Sequence, residues 1–405
     1  MKGVFVVLDG VADEPCQALG MITPLQAAKT PNLDFFARRG KLDYCYSVKE
    51  GFVPESDSAI ISLLGYDPVF EHRGILETIG AGMQLKNGDL AFRCNFGTID
   101  SLENLNVLDR RAGRTLTTKE ARILADAINK GVKLPFPFEF VPTIQHRGVL
   151  VIRGGFSDNI SPIDTDKSGK LTFSYPEDDN DDEAKLSAEL LNSFVRQSHR
   201  ILNGHPINIS RAKKGFYAAN VVLCRGAGSE LPKFKKIKGK WIALGYMPLE
   251  KGIARILGME LYKFGYPKLK GMDAYENLYS GLKLATKYAY KMIKKYKNKY
   301  DYFYVHFKET DSPGHDNKPF DKVKMIEMID ERFFYYLKRI IGDARLIITA
   351  DHATPCRLKA HSADPVPVLT YPNPKGKESE QRFTEEQALM GKKVAGRKLL
   401  DEKMF

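Results

Sequence analysis

The stretch LIITADHATPCRLKAHSADPVPV, residues 346–368, carries the reading of this chain. A short apolar strand over residues 346–348 passes through Thr349 and Ala350 and delivers Asp351 and His352 side by side. His361 follows among the small residues Ala360, Ser362 and Ala363. A carboxylate and imidazoles at the carboxyl end of a strand suit a divalent metal site in an open α/β sheet. The stretch gains weight only if further ligands sit at other strand ends.

Two other strand ends supply them. Residues 3–8 (GVFVVL) read as a strand stopping at Asp9-Gly10, and residues 302–307 (YFYVHF) as a strand leading to Asp311 and His315 in TDSPGH. Pro313-Gly314 lies inside this D-x-x-x-H spacing and predicts a loop, not a helical pair. Three Asp and three His suffice for two metals, the arrangement that clamps entering and leaving oxygens in phosphoryl transfer. Ser56, in VPESDS before the mostly apolar run 59–64, opens a helix where backbone N–H groups and the helix dipole favour a phosphate. The plainer reading of Ser56 is a helix cap. His72, His199, His205 and His306 read as structural or surface residues.

Composition narrows the class. With 405 residues two domains are expected, and 43% hydrophobic with 28% charged residues is a soluble globular balance. No apolar run approaches the roughly 18 residues of a membrane span. The five cysteines are odd in number and widely spaced, which points to a reducing cytoplasm. The net charge of +12 raises nucleic acid as a partner. However, the lysines concentrate at 233–240 and in a helical pattern at 287–299 that reads as a solvated face, so an anionic small molecule is the expected partner.

Strands alternate with helices at both ends of the chain, which predicts a mostly parallel sheet with helices on both faces. Helices are expected over 33–39, capped by Asn32, from Lys251 onward, and over 322–341. The character changes from about Val69. Short β-like runs (90–96, 106–108, 148–152, 220–224) and helical runs (118–128, 182–200) form an inserted α/β segment with Arg at many turns and an acidic, solvated loop at 177–183. The expected division is a metal-binding domain of residues 1–68 and 236–405 around a smaller inserted α/β domain of residues 69–235.

Together, Asp9-Gly10, Ser56-Asp57 followed by SLLGYDP, VHFKETDSPGH and TADHATPCRLKAHSADPVPV resemble the archaeal-type cofactor-independent phosphoglycerate mutases of the alkaline phosphatase superfamily. DRRAGR (109–114), HRGVLVIRG (146–154), FSDNIS (156–161), ANVVLCRGAG (219–228) and KGIARILGM (251–259) extend the resemblance across nearly the whole chain. It implies an alkaline-phosphatase-like fold and interconversion of 3- and 2-phosphoglycerate through a phosphoserine, with two divalent ions (Mn, Zn, Co or Mg) and no bisphosphoglycerate. Asp9, Ser56, Asp351 and His352 would hold one metal, and Asp311, His315 and His361 the other. Ser56 would be the nucleophile, with Ser58 its fallback, and Lys251 would neutralise the phosphoryl oxygens. Arg110, Arg111 and Arg225 would grip the glycerate. Asp109 would move the substrate hydroxyl proton, with His146 its rival. Glu55 and Glu309 depart from the small residues expected there. A phosphohydrolase or phosphotransferase on another phosphoester is the alternative, and a non-catalytic module retaining the fold a third. No membrane or nucleic-acid partner is expected, and a homo-oligomer stays open.

Overall fold

Three loops can bring Asp9, Asp311 and Asp351 together only if the strands feeding them run parallel and in step. In a computed structural model describing residues 1–68, 73–165, 169–267, 273–373, 376 and 378–405, they do. Strand Gly3–Leu8 lies between Tyr302–Phe307 and Arg345–Thr349, parallel to both, with Gly3 opposite Tyr302 and Arg345. Every residue of Gly3–Leu8 and Tyr302–Phe307 is buried. Continuous apolar strands of this kind belong to a sheet covered on both faces.

The sheet has eight strands. Trp241–Leu244 and Glu260–Leu261 extend it in parallel on one side. On the other side Val366–Tyr371 pairs antiparallel with Arg345–Thr349 and with Lys41–Tyr46, and Lys393–Ala395 closes the edge. The predicted, mostly parallel sheet is therefore present. Helices Pro31–Arg39, Ala274–Tyr296 and Pro319–Ile329 contribute buried faces to its core.

A second, antiparallel sheet stands apart, with its own core. Leu90–Ile99 runs at its centre, paired with Arg147–Ile152, Val221–Gly228 and Val107–Asp109. Helices Thr118–Gly131 and Asp182–Asn203 bury Leu124, Ile128, Leu191 and Phe194 against it. Helix Arg73–Ala81 joins the two parts by lying on helix Pro248–Ile256. A Cβ on Gly80 would stand 1.8 Å from the Pro248 carbonyl oxygen, and one on Gly252 1.8 Å from that of Leu76. Only glycine permits so close a crossing.

Several local expectations are corrected. Residues Asp311–His315 form one helical turn, not a loop. Pro313 falls within the first turn, where its missing N–H costs no hydrogen bond. The helix expected over 33–39 begins at Pro31, with Thr30 in the cap position. Asn32 instead donates its side-chain amide to Asp330 at 2.7 Å. The helix expected to open at Lys251 starts at Pro248, whose fixed φ suits a first turn. The long helix expected over 322–341 is interrupted by a π turn, Asp330–Phe334. No helix among the described residues is long and apolar enough to cross a membrane.

Candidate active site

The carboxyl ends of the three parallel strands open on a cavity of about 770 Å³ between the two sheets. Asp9 leaves the first strand and is followed by Gly10 at φ +55°. A Cβ there would meet Thr354 Oγ1 at 2.4 Å and Asp311 Oδ1 at 2.7 Å, so the ligand loops touch only because residue 10 is glycine. Gly10 N–H donates to Asp351 Oδ1 at 3.1 Å, tying the first loop to the third.

Ligand atoms fall into two overlapping groups. Asp9, Asp351 and His352 lie with one ligand atom each within 4.8 Å of one another, and Asp311, His352 and His361 do the same. His315 Nε2 is 3.3 Å from Asp311 Oδ1, and His361 Nε2 is 3.8 Å from it. The rings of His352 and His361 stack at 3.6 Å, so His352 stands between the groups.

The second hydrogen bond of each imidazole fixes its tautomer. His315 Nδ1 faces the Lys359 carbonyl and His361 Nδ1 the Pro54 carbonyl, both at 3.0 Å, so each Nδ1 carries the proton. The Thr354 hydroxyl donates to Asp311 Oδ1 at 2.8 Å and accepts from His352 Nδ1 at 3.1 Å. With each Nδ1 so engaged, the three Nε2 atoms turn toward Asp311 and Ser56, the outer-sphere pattern of metal-binding histidines. Asp9 Oδ1 and Asp351 Oδ2 are buried without a hydrogen-bond partner. Burial and the neighbouring charge of Asp9 push Asp351 up to about 7. Orphaned carboxylate oxygens beside the His352 Nε2 atom fit divalent ions.

Ser56 is the first residue of helix Ser56–Leu63, at the edge of this cluster. Its Oγ is 3.2 Å from His352 Nε2, which, lacking a proton, accepts. Ser58 turns away and donates to the Glu55 carbonyl at 3.0 Å. Glu55 reaches toward Arg73 at 3.4 Å and His361 at 3.8 Å.

Two residues not expected from the sequence share Asp9. His306, read as structural or surface, has Nε2 2.8 Å from Asp9 Oδ2. Lys308 Nζ contacts the same oxygen. Burial opposes the charge of Asp9, yet Lys308 and the His306 hydrogen bond hold its carboxyl well below the usual range. Lys308 lines the cavity, and Lys251, expected to neutralise phosphoryl oxygens, is not among the lining residues. Helix Pro248–Ile256 presents Glu250 to the cavity instead. Glu309, beside Lys308, is buried under the hydroxyls of Tyr246 and Tyr266, and burial pushes it up to about 7.

The facing wall is basic. Arg110, Arg111 and Arg225, expected from the sequence to grip the substrate, line it with Arg73, Arg93, Arg114 and Arg147, which the sequence marked only as arginines near turns. Glu77 lies 3.0 Å from Arg73 and 3.9 Å from Arg93, and Asp164 pairs with Arg110 and, at 2.9 Å, with Arg225. Arg111 and Arg147 have no carboxylate in ion-pair range among the described residues. Burial, then Arg73 and Arg225, push Arg93 down to about 9, the strain of clustered cations awaiting an anion. Asp109 lines the cavity, its Oδ1 taking the Arg111 and Gly113 N–H groups at 2.7 Å each. His146 is buried, with Nδ1 unpartnered. Burial first, then Arg147, Arg111 and Arg114, hold it neutral. Arg93 was detectable, as a lone charge in the apolar strand LAFRCNFGTI. Of the remaining histidines, His199 Nδ1 contacts the Asn220 carbonyl, His205 caps helix Pro206–Lys213, and His72 falls outside the described residues.

Comparison with known proteins adds relatives to this geometry. A family profile described as 2,3-bisphosphoglycerate-independent phosphoglycerate mutase matches residues 37–208. A protein of that name from Thermococcus gammatolerans is 39% identical over 400 residues, covering 96% of this chain and 93% of the relative. One from Methanosphaera stadtmanae is 40% identical over 376 residues, covering 91% and 88%. Among solved structures, a Pyrococcus horikoshii protein superposes with TM-score 0.75 at 30% identity, covering 100% of this chain and 96% of that one. A cofactor-independent phosphoglycerate mutase from Thermoplasma acidophilum superposes with TM-score 0.59 at 29% identity, covering 100% and 99%.

Proposed function

The chain belongs to the 2,3-bisphosphoglycerate-independent phosphoglycerate mutase family and interconverts 3- and 2-phosphoglycerate, and we propose that it does so by passing the phosphoryl group through Ser56. The observation that carries this reading is the position of Ser56 Oγ, 3.2 Å from His352 Nε2 at a helix N-terminus, facing an arginine wall across one cavity.

Asp9, Ser56, Asp351 and His352 would hold one divalent ion and Asp311, His315 and His361 a second, and when bound the pair would supply Lewis-acid charge to the nucleophile and the phosphoryl oxygens. Carboxylates and imidazoles admit Mn, Zn, Co or Mg. The chain's own residues do the rest. The N–H groups opening helix Ser56–Leu63 face the arriving phosphoryl group, and Lys308 supplies a fixed positive charge in the place assigned to Lys251 from the sequence. Ser56 Oγ, its proton lost to solvent, bonds to phosphorus as the C3 ester oxygen leaves, and Asp109 gives that oxygen the proton it carries into the cycle.

Arg110, Arg111 and Arg225, with Arg73, Arg93 and Arg147, hold the glycerate carboxylate and hydroxyls while the molecule turns. His146, kept neutral, hydrogen-bonds the ester rather than repelling the arginines. The C2 hydroxyl then gives its proton to Asp109 and takes the phosphoryl group from Ser56. In this reading residues 69–235 form the substrate-holding domain, and residues 1–68 and 236–405 the metal-binding one. Enclosure between them keeps water from the phosphoserine. We place the reaction in the cytoplasm, a reading supported by five buried cysteines that form no disulfide.

The test is to load the protein with Mn, supply 3-phosphoglycerate without bisphosphoglycerate, and follow 2-phosphoglycerate and free phosphate together. The expected result is 2-phosphoglycerate without phosphate. Phosphate accumulating as fast as substrate disappears would make the chain a phosphohydrolase.

A further inference from the structure

One buried carboxylate has no role in the proposed reaction. Glu250, in the first turn of helix Pro248–Ile256, is 1% exposed, and neither carboxylate oxygen has a hydrogen-bond donor among the described residues. A carboxylate so placed is costly unless a cation sits against it. The cation is Lys308, whose Nζ is 3.6 Å from Glu250 Oε1 and also contacts Asp9 Oδ2. His306 Nε2 reaches the same Asp9 oxygen at 2.8 Å, and its Nδ1 lies 2.8 Å from the Tyr304 hydroxyl. One ligand atom from each of Asp9, Glu250 and His306 falls within 4.8 Å of the others, the spacing of a cation site.

We propose that Asp9 and Glu250, beside His306, enclose a third cation position in which the Lys308 ammonium stands in place of a metal ion. This rests on the reading that Asp9 holds one of the two metals. Lys308 occupies Asp9 Oδ2, which leaves the unpartnered Oδ1, 3.6 Å from His352 Nε2, to face the metal. A lysine delivers its charge covalently at the end of strand Tyr302–Phe307, so this cation neither exchanges with solvent nor depends on metal supply. It carries one positive charge where a divalent ion would carry two. Glu250 is then a positioning residue. It touches no reacting atom, but its charge draws Lys308 to the cavity wall.

The test counts metal ions per chain by elemental analysis after loading with Mn and desalting, with circular dichroism to establish folding. Wild type is expected to hold two, and Lys308→Ala, which empties the position, three. Lys308→Asn, which fills more of the space and offers a carbonyl ligand, guards against a misfolded alanine variant and is also expected to hold three. Adding Glu250→Gln to either should return the count to two. Glu250→Gln alone should keep two ions and a KM near wild type, while kcat falls by about ten-fold through the displaced Lys308 charge. A wild type with fewer than two ions contradicts the two-metal reading. No gain of an ion over wild type in either folded Lys308 variant, or an unchanged kcat in Glu250→Gln, overturns the third-cation assignment.

Discussion

Arg114 of the smaller-sheet part reaches across the cavity mouth and grips Asp316 with both terminal nitrogens, at 2.7 and 3.1 Å. Asp316 directly follows His315 and also accepts the Tyr275 hydroxyl at 2.8 Å, so the contact ties the arginine wall to the turn that carries Asp311 and His315. Both side chains are about one-quarter exposed, so solvent screens the pair only in part. Arg114→Ala and Asp316→Ala should each lower kcat/KM by about ten-fold, with the double variant little worse than either. A double-mutant cycle should show coupling of about 1 kcal/mol. Purely additive losses would mean that the bridge does not act as a unit.

The two serines of VPESDS separate cleanly in the structure. Ser56→Ala should lower kcat by at least about a thousand-fold, because the nucleophile is lost while the substrate wall remains intact. Ser58→Ala should stay within about ten-fold, since its hydroxyl donates to the Glu55 carbonyl within the same turn. Steady-state kinetics on the two variants decide the assignment.

Lys308 and Lys251 make a second pair of alternatives. Lys308→Met should cost about a hundred-fold or more in kcat and also lower the melting temperature, because Asp9 and Glu250 lose their shared buried cation. Lys251→Met, outside the cavity lining, should remain within a few-fold of wild type. Equal losses from both would return Lys251 to the phosphoryl site.

His146 gives stability a pH dependence. Its folded pKa lies well below 6.5, so between the two values the unfolded chain binds a proton that the folded chain refuses. Its stabilising share is complete above about pH 6.5 and is lost as pH falls, by up to about 1.4 kcal/mol per pH unit. His146→Gln removes the proton site. The difference in unfolding free energy between wild type and variant, measured by urea titration from pH 7.5 to about pH 5, should therefore shift with this slope. A difference independent of pH would contradict it.

The Asp and His loops were legible because parallel-strand physics is local: an apolar run ending in Asp or Asp-His announces itself. The arginine wall was harder to read. Arg93 and Arg225 meet through the register of two strands more than a hundred residues apart, and Arg73 arrives on a helix whose path depends on the Gly80 and Gly252 crossing. Lys308 drew no reading after YFYVHF, and His306 was read as structural or surface, because nothing nearby in sequence reveals that Asp9 lies alongside. The Asp311–His315 turn was misread because Pro and Gly usually end helices, whereas here proline falls in a first turn that tolerates it.

The most direct test of passage through Ser56 is to trap it. Metal-loaded protein is mixed with phosphorus-labelled 3-phosphoglycerate, quenched in acid within the first turnover, digested and mapped by mass spectrometry. The expected result is one labelled phosphoryl group on the peptide carrying Ser56, at Ser56 itself, chased into 2-phosphoglycerate by unlabelled substrate with no burst of free phosphate. Label on Ser58, no label on the protein during active turnover, or label released only as phosphate would each contradict it.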